Sequence, residues 1–361
     1  MSFRSLLSVI SFLSASMDAR EITFPPVSRY PSQQIISQGY NEPDITQSKF
    51  AGLTTYANLP YVHCLAPEGQ DVEAFDIAIL GAPFDTGSRR ISPGMGWSIY
   101  TGENVLLDWA KIVDCGDAPL TFLDNTVALK QLDRAHKIVS SRDAHSNERT
   151  TPRIITLGGD HTTTLSALRS TYQHWGAVSV IHFDSHLDTW DPKVLGKLER
   201  PHSHVSGVNH GTFLHIAHEE GLIRNTSMHA GIRAPMVRPK GDLRNDVRCG
   251  FAMVKARDID RYGVSGITER LRSRVSGTKV YISVDIDVLD PAFAPATGTS
   301  EVGGWSTREL LSILDGLEGL DVVGADVVEV APVYDNPGET TVLAAAEVVL
   351  SLIGLIVKTP S

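Results

Sequence analysis

From about residue 74 onward, short apolar runs alternate with stretches whose apolar residues recur at helical spacing. The runs at 75–80, 153–157, 178–183, 228–232, 279–286 and 322–330 are rich in Val and Ile and nearly continuous in apolar character. A strand with one wet face alternates apolar and polar residues, so unbroken runs of this length predict strands covered on both faces. Between them, 128–141, 162–173, 267–275, 307–317 and 340–357 have the length and periodicity of helices. Ser306 and Glu309, three positions apart, form a capping box that opens the fourth of these. Alternation of this kind predicts an α/β domain of three layers, with a central, mostly parallel sheet and helices on both faces. No repeat, low-complexity tract or linker follows residue 70, so 71–361 reads as one domain.

The two ends of the chain need separate readings. Residues 341–357 are almost wholly apolar and approach the length of a membrane span, but Glu347 and Ser351 interrupt them. The stretch predicts a buried C-terminal helix, and no transmembrane helix is expected in the mature chain. At the other end, Arg4 precedes the apolar run from Leu6 to Leu13 and the small residues Ser14, Ala15 and Ser16. Residues 1–20 therefore resemble a secretory signal or leader, with a mitochondrial or cytoplasmic location as the alternative. Residues 21–70, carrying Pro25, Pro26, Pro31, Gly39, Asn41 and Pro43, read as an extended arm. The triplet Asn225-Thr226-Ser227 has the form of a glycosylation acceptor in a secreted protein, but one such triplet is expected by chance in a chain this long.

Composition narrows the class of partner. A chain of 361 residues, 42% hydrophobic, can bury a large core. Acidic residues (42) outnumber Lys and Arg (32), for a formal charge of −10. That balance argues against a nucleic-acid partner and suits a small cationic one. Cys64, Cys115 and Cys249 lie far apart without metal-binding spacing. They predict neither a thiolate zinc site nor a disulfide framework.

Three clusters carry candidate chemistry. His182-Phe183-Asp184-Ser185-His186-Leu187-Asp188 closes the run at 178–183. In an extended chain Asp184, His186 and Asp188 would point to one side, at the strand end where ligands of open α/β sheets bind. Ser283-Val284-Asp285-Ile286-Asp287-Val288-Leu289-Asp290-Pro291 closes another run. Asp285 and Asp287 would repel unless one is protonated or a cation lies between them; Asp290, before a proline, reads as a turn residue. Gly158-Gly159-Asp160-His161 links a strand to a helix and brings His161 to the same edge. Two imidazoles and four carboxylates suit a pair of divalent ions, drawn from manganese, magnesium, iron, cobalt and zinc, and such pairs activate water for hydrolysis. His63, His202, His204, His215 and His218 lack carboxylate neighbours at strand spacing and read as surface or loop residues.

Together these blocks resemble the signatures of the ureohydrolase family, which includes arginases and agmatinases. The resemblance runs from about residue 75 to 355 and takes in Gly81-Ala82-Pro83-Phe84-Asp85-Thr86-Gly87, Pro295-Ala296-Thr297-Gly298-Thr299 and Asp326-Val327-Val328-Glu329-Val330. Val113-Asp114-Cys115-Gly116-Asp117 and Asn209-His210-Gly211-Thr212-Phe213 are most similar to fungal agmatinases. The resemblance implies an arginase-like catalytic domain over 71–361 and two manganese ions. One would be held by His161, Asp184, Asp188 and Asp285, the other by His186, Asp184, Asp285 and Asp287. It further implies that Asp188, His210 and Glu329 are catalytic and that Glu329, Thr299 and His210 bind substrate. A trimer or hexamer is the implied assembly. The implied reaction is hydrolysis of agmatine to putrescine and urea, with guanidinobutyrate or another guanidino acid as the alternative substrate. One departure bears on turnover. After Gly87 the chain runs directly into Ser88-Arg89-Arg90-Ile91-Ser92-Pro93-Gly94, without a pocket-forming segment that the family carries there. A metal-binding but catalytically impaired paralogue is therefore a third expectation.

Overall fold

The computed structural model describes residues 54–67, 70–83, 97–121, 123–146, 151–195 and 207–358. The leader, most of the arm, the stretch after Gly87, and His202 and His204 lie outside the described residues.

The strands are β1 (Ile77–Ala82), β2 (Ile112–Asp117), β3 (Arg153–Gly158), β4 (Ser179–Phe183), β5 (Ser227–Ile232), β6 (Phe251–Lys255), β7 (Lys279–Asp285) and β8 (Asp321–Val328). They form one eight-stranded sheet in the order β2-β1-β3-β8-β7-β4-β5-β6, and every pairing is parallel. The main helices are α1 (Asn125–Ser140), α2 (Thr163–Trp175), α3 (Phe213–Glu219), α4 (Pro239–Arg248), α5 (Asp258–Val275), α6 (Thr307–Asp315) and α7 (Thr340–Val357). The three-layer α/β architecture is as the apolar pattern predicts.

Successive strand residues face opposite ways, and both faces are covered. Val180, Tyr281 and Val323 pack with Leu165 and Leu168 of α2 and Phe213 of α3. Their neighbours Ile181, Ile282 and Val322 pack on the other face with Ile267 of α5, Ile313 of α6 and Ile353 of α7. A side chain of this size contributes about 1.5–3 kcal/mol when fully buried. Helix α7 has the length and composition of a membrane span, yet 67% of it is buried. It packs on β8, β3 and α6, the setting in which a helix is apolar around most of its circumference. The predicted capping box opens α6, with Ser306 Oγ accepting from Glu309 N and Glu309 Oε2 accepting from Ser306 N at 2.8 Å.

Two strands were not anticipated from the apolar runs. β2 contains Asp114, Gly116 and Asp117, and its Asp114 carboxylate is consumed by the backbone N–H groups of Tyr56 and Gly116, both at 2.8 Å. β6 is an edge strand whose Ala252 and Met253 are only half-buried. The cysteine expectation is corrected as well, because Cys64 and Cys115 form a disulfide. Val62 N donates to Asp114 O at 3.0 Å, laying the chain before β1 alongside β2 and bringing the two sulfurs together. Distance along the chain concealed that register.

The strand order places β3, β8, β7 and β4 side by side although they are far apart in sequence. Because the strands are parallel, their carboxyl ends lie along one edge of the sheet, the edge at which open α/β sheets bind ligands.

Candidate metal centre and substrate site

The loops leaving these four strands deliver the side chains that the sequence singled out. After β3 the chain turns through Gly158 and Gly159; a Cβ at Gly158 would lie 2.7 Å from both Thr163 and Val328 side-chain atoms, so only glycine permits the approach. His161 follows at 0% exposure. Its Nδ1 stands 3.2 Å from Asp184 Oδ2, 3.3 Å from Asp188 Oδ2 and 3.2 Å from Asp285 Oδ2. Its Nε2 is 2.8 Å from Ser283 Oγ, and that hydroxyl donates to Asp326 Oδ1 at 2.7 Å. Because Ser283 gives its proton to Asp326, it must accept from His161 Nε2–H, which makes Nδ1 the nitrogen that can ligate a cation. Burial opposes the charge on His161, but Asp184, Asp188 and Asp285 raise it well above the usual imidazole range, and a cation at Nδ1 would take the place of that proton.

β4 ends at Phe183, so Asp184, His186 and Asp188 do not share a face through strand alternation. They converge because the chain bends. Asp188 adopts the left-handed backbone region at φ 53°, and its carbonyl accepts from Leu214 N of α3 at 3.2 Å. Asp285 and Asp287 likewise meet through a turn, in which Asp287 N donates to Asp285 Oδ1 at 2.8 Å. His186 Nδ1 lies 3.2 Å from Asp184 Oδ1 and 3.0 Å from Asp287 Oδ2. The other Asp287 oxygen is held by Ser185 N and Oγ, at 3.0 and 2.8 Å. Asp290 is a turn residue as expected, its carboxylate accepting from Ala292, Gly303 and Gly304 N–H groups.

Two groups of atoms can therefore hold an ion: His161, His182, Asp184 and Asp188 in one, and Asp184, His186 and Asp287 in the other. His161 Nδ1, His182 Nε2 and Asp184 Oδ2 are buried and have no hydrogen-bond partner. Orphaned polar atoms of this kind are expensive to bury, and a cation among them satisfies all three. The carboxylates speak for the same group. Burial, then Asp287 and Asp184, drives Asp285 well above the usual carboxylate range, and burial followed by Asp184 lifts Asp188 to about 6. Burial pushes His182 down to about 3, keeping it a neutral imidazole. The donor set is oxygen and imidazole nitrogen without thiolate, which suits manganese, magnesium and their neighbours. His182, absent from the implied ligand sets, is the residue that sequence reasoning missed; only its position two residues before Asp184 could have drawn attention to it.

The remaining predicted residues frame the mouth. Glu329, just beyond β8 and in the left-handed region at φ 60°, accepts from His161 N at 2.7 Å through Oε1. Burial, then the Asp160 carboxylate, raises it to about 7. Thr299 is exposed and its hydroxyl reaches Asp287 Oδ2 at 3.4 Å. His210 is half-exposed, and its Nδ1 is 3.4 Å from Asp160 Oδ2. The Asp160 contact lifts His210 to about 9, against the opposing effect of burial. His63 is exposed, and His218 is half-buried. His215 departs from the surface reading: it is 8% exposed on α3, its Nδ1 receiving Asn245 and Arg248 at 3.2 Å.

The resulting site is a carboxylate-rich floor with a further acid, Glu329, on its wall beside Asp160. Such a floor can hold cations and activate water, and such a wall can orient a planar cation. Comparison with known proteins agrees with this geometry. A family model described as the arginase family matches residues 75–354. A Schizosaccharomyces pombe protein provisionally named agmatinase 1 is 47% identical over 340 residues, covering 87% of this chain and 84% of the relative. A guanidinobutyrase of Pseudomonas aeruginosa is 32% identical over 311 residues, covering 82% of this chain and 90% of the relative. Among solved structures, proclavaminate amidino hydrolase from Streptomyces clavuligerus superposes with a TM-score of 0.69 at 30% identity, covering 86% of this chain and 99% of that one.

Proposed function

Because the chain belongs to the arginase family and is a ureohydrolase, we propose that it cleaves agmatine to putrescine and urea with two manganese ions in the paired sites. The observation that carries the reading is the convergence of His161 Nδ1 with Asp184, Asp188 and Asp285 at 3.2–3.3 Å, beside an acid poised for a guanidinium. In this reading His161, Asp184, Asp188 and Asp285 hold the first ion, and Asp184, His186, Asp285 and Asp287 hold the second. When bound, the ions would supply Lewis acidity and lower the pKa of the attacking water.

The chain's own residues do the rest. Glu329 spends Oε1 on the His161 N–H, leaving Oε2 to pair with the planar guanidinium and fix its carbon over the floor. Thr299, whose hydroxyl reaches Asp287, supports the same group. Asp188 takes the water's proton and passes it to the leaving nitrogen as the C–N bond breaks. His210, raised to about 9 and so cationic at neutral pH, gives a second proton to the departing amine and regains one as the protonated urea left behind loses its hydroxyl proton. Products are urea and a primary amine.

Guanidinobutyrate is the alternative substrate, supported by similarity to a relative of that name. Urea release from agmatine, guanidinobutyrate and arginine, measured with and without added manganese, tests the reading. Agmatine should turn over fastest, chelation should stop it, and Asp285→Ala should lose metal and turnover together. Bound metal with no urea from any substrate overturns catalysis in favour of the impaired paralogue. The proposal extends to a trimer or hexamer and to the secretory pathway. The latter draws support from the leader-like residues 1–20 and from the Cys64–Cys115 disulfide, since such bonds persist in oxidising compartments.

A further inference from the structure

A second line of buried polar groups leads away from the metal floor towards β5 and α4. His182 and His229 are register partners on β4 and β5, and both are 0% exposed. Their Nδ1 atoms lie 2.8 Å apart. His229 Nε2 is 2.8 Å from Asp246 Oδ1, on α4. The same oxygen accepts from Thr189 Oγ at 2.8 Å. The His229 ring also stacks on Phe251, with centroids 4.0 Å apart.

The protons on this line can be placed by acceptor logic. An ionised carboxylate only accepts, so His229 carries its proton on Nε2 and turns a lone pair on Nδ1 towards His182. The contact between the two rings needs one proton, and His182 Nδ1 must supply it. His182 Nε2 is then unprotonated. It stands 3.1 Å from Asp184 Oδ2 and 4.0 Å from Asp188 Oδ2, with no hydrogen-bond partner. A lone pair facing carboxylate oxygens is repulsive unless a cation lies among them. The arrangement parallels His161, whose tautomer is set by Ser283 and Asp326 from the opposite side.

We propose that Asp246 and His229 are positioning residues that fix His182 as its Nδ1–H tautomer, so that its Nε2 lone pair is an additional donor to the first metal position. This rests on the metal reading above. It also gives the buried pair His229–Asp246 a role at the reaction centre that neither residue could reach by contact. Outer partners of metal-binding histidines commonly change affinity by about 10- to 100-fold when removed.

Two measurements on the full-length protein test it. In metal-free protein labelled with 15N-histidine, the ring nitrogens should report His182 protonated on Nδ1 and His229 on Nε2, and added Zn2+ should shift the His182 Nε2 resonance. A proton on His182 Nε2 overturns the proposal. Second, His229→Phe keeps the stack on Phe251 but removes both nitrogens. Mn2+ titration followed by electron paramagnetic resonance should show about 10- to 100-fold weaker binding of one ion, with the other unchanged. Wild type that binds two ions and a folded variant that matches it overturn the relay alone. Wild type that binds no divalent ion overturns the metal reading beneath it. If His229→Phe does not fold, the tautomer measurement decides.

Discussion

Replacing Glu329 by Gln isolates the charge that the site offers to a guanidinium. The carbonyl oxygen of Gln can keep the 2.7 Å bond from His161 N, so the turn after β8 and the imidazole it supports should hold their places. What changes is the second oxygen, which becomes an amide N–H facing a substrate that is itself all donors. Truncating one partner of a desolvated charge pair costs about 2–5 kcal/mol. Taking about 3 kcal/mol, kcat/KM for agmatine should fall roughly 150-fold at 1.4 kcal/mol per tenfold, while bound manganese stays unchanged. The pH profile gives an independent readout. Burial and the neighbouring Asp160 raise Glu329 to about 7, so the wild-type carboxyl gains its proton, and loses its hold on the cation, as pH falls through that value. The acid limb of kcat/KM near 7 should vanish in the Gln variant. Initial-rate urea assays from pH 6 to 9, with metal content by mass spectrometry, supply both numbers. A variant within threefold of wild type, or one that loses manganese in proportion to activity, refutes the assignment of Glu329 to the substrate.

Two further outcomes follow from other parts of the molecule. His210, lifted to about 9 first by its contact with Asp160, loses its proton as pH rises through that value; kcat should decline on the alkaline side, and His210→Asn should remove that limb and lower kcat roughly 100-fold. The Cys64–Cys115 bond closes a loop with a sequence separation of 51, so the paired Ala variant should be less stable by about 4 kcal/mol in urea or thermal unfolding; an unchanged midpoint would count against a bond in the native protein.

The sheet was legible where Val and Ile run through strands buried on both faces, as at 178–183 and 279–286. It was illegible at β2, where Asp114 spends its carboxylate on backbone N–H groups and so looks like a loop residue. The disulfide was hidden for a related reason, because the partner of Cys115 lies in a non-regular segment that only tertiary register sets beside it. Within the site, Asp184, His186, Asp188, Asp285 and Asp287 were found by their spacing, yet the reason given for it was incomplete. Bends at Asp188 and after Asp285, rather than strand pleating, gather them. His182 headed its cluster but was given no role, because a histidine inside an apolar run reads as strand interior, and its connection to His229 exists only across two strands. Ser283 and Asp326 were quoted as parts of larger blocks, but their common work on His161 required three strands to be placed side by side.

The left-handed backbone at Asp188 and Glu329 has a consequence for how this chain can change over evolutionary time. Side chains other than glycine are strained by of order 1–3 kcal/mol in sparsely populated backbone regions, and Asp188 adds a buried carboxyl to that burden and Glu329 a partly buried one. Glycine at either place would relax the backbone and remove a repelling charge at once. For the metal-free fold, decay of the active site is therefore energetically downhill, and a lineage released from selection for turnover would drift in that direction by single substitutions.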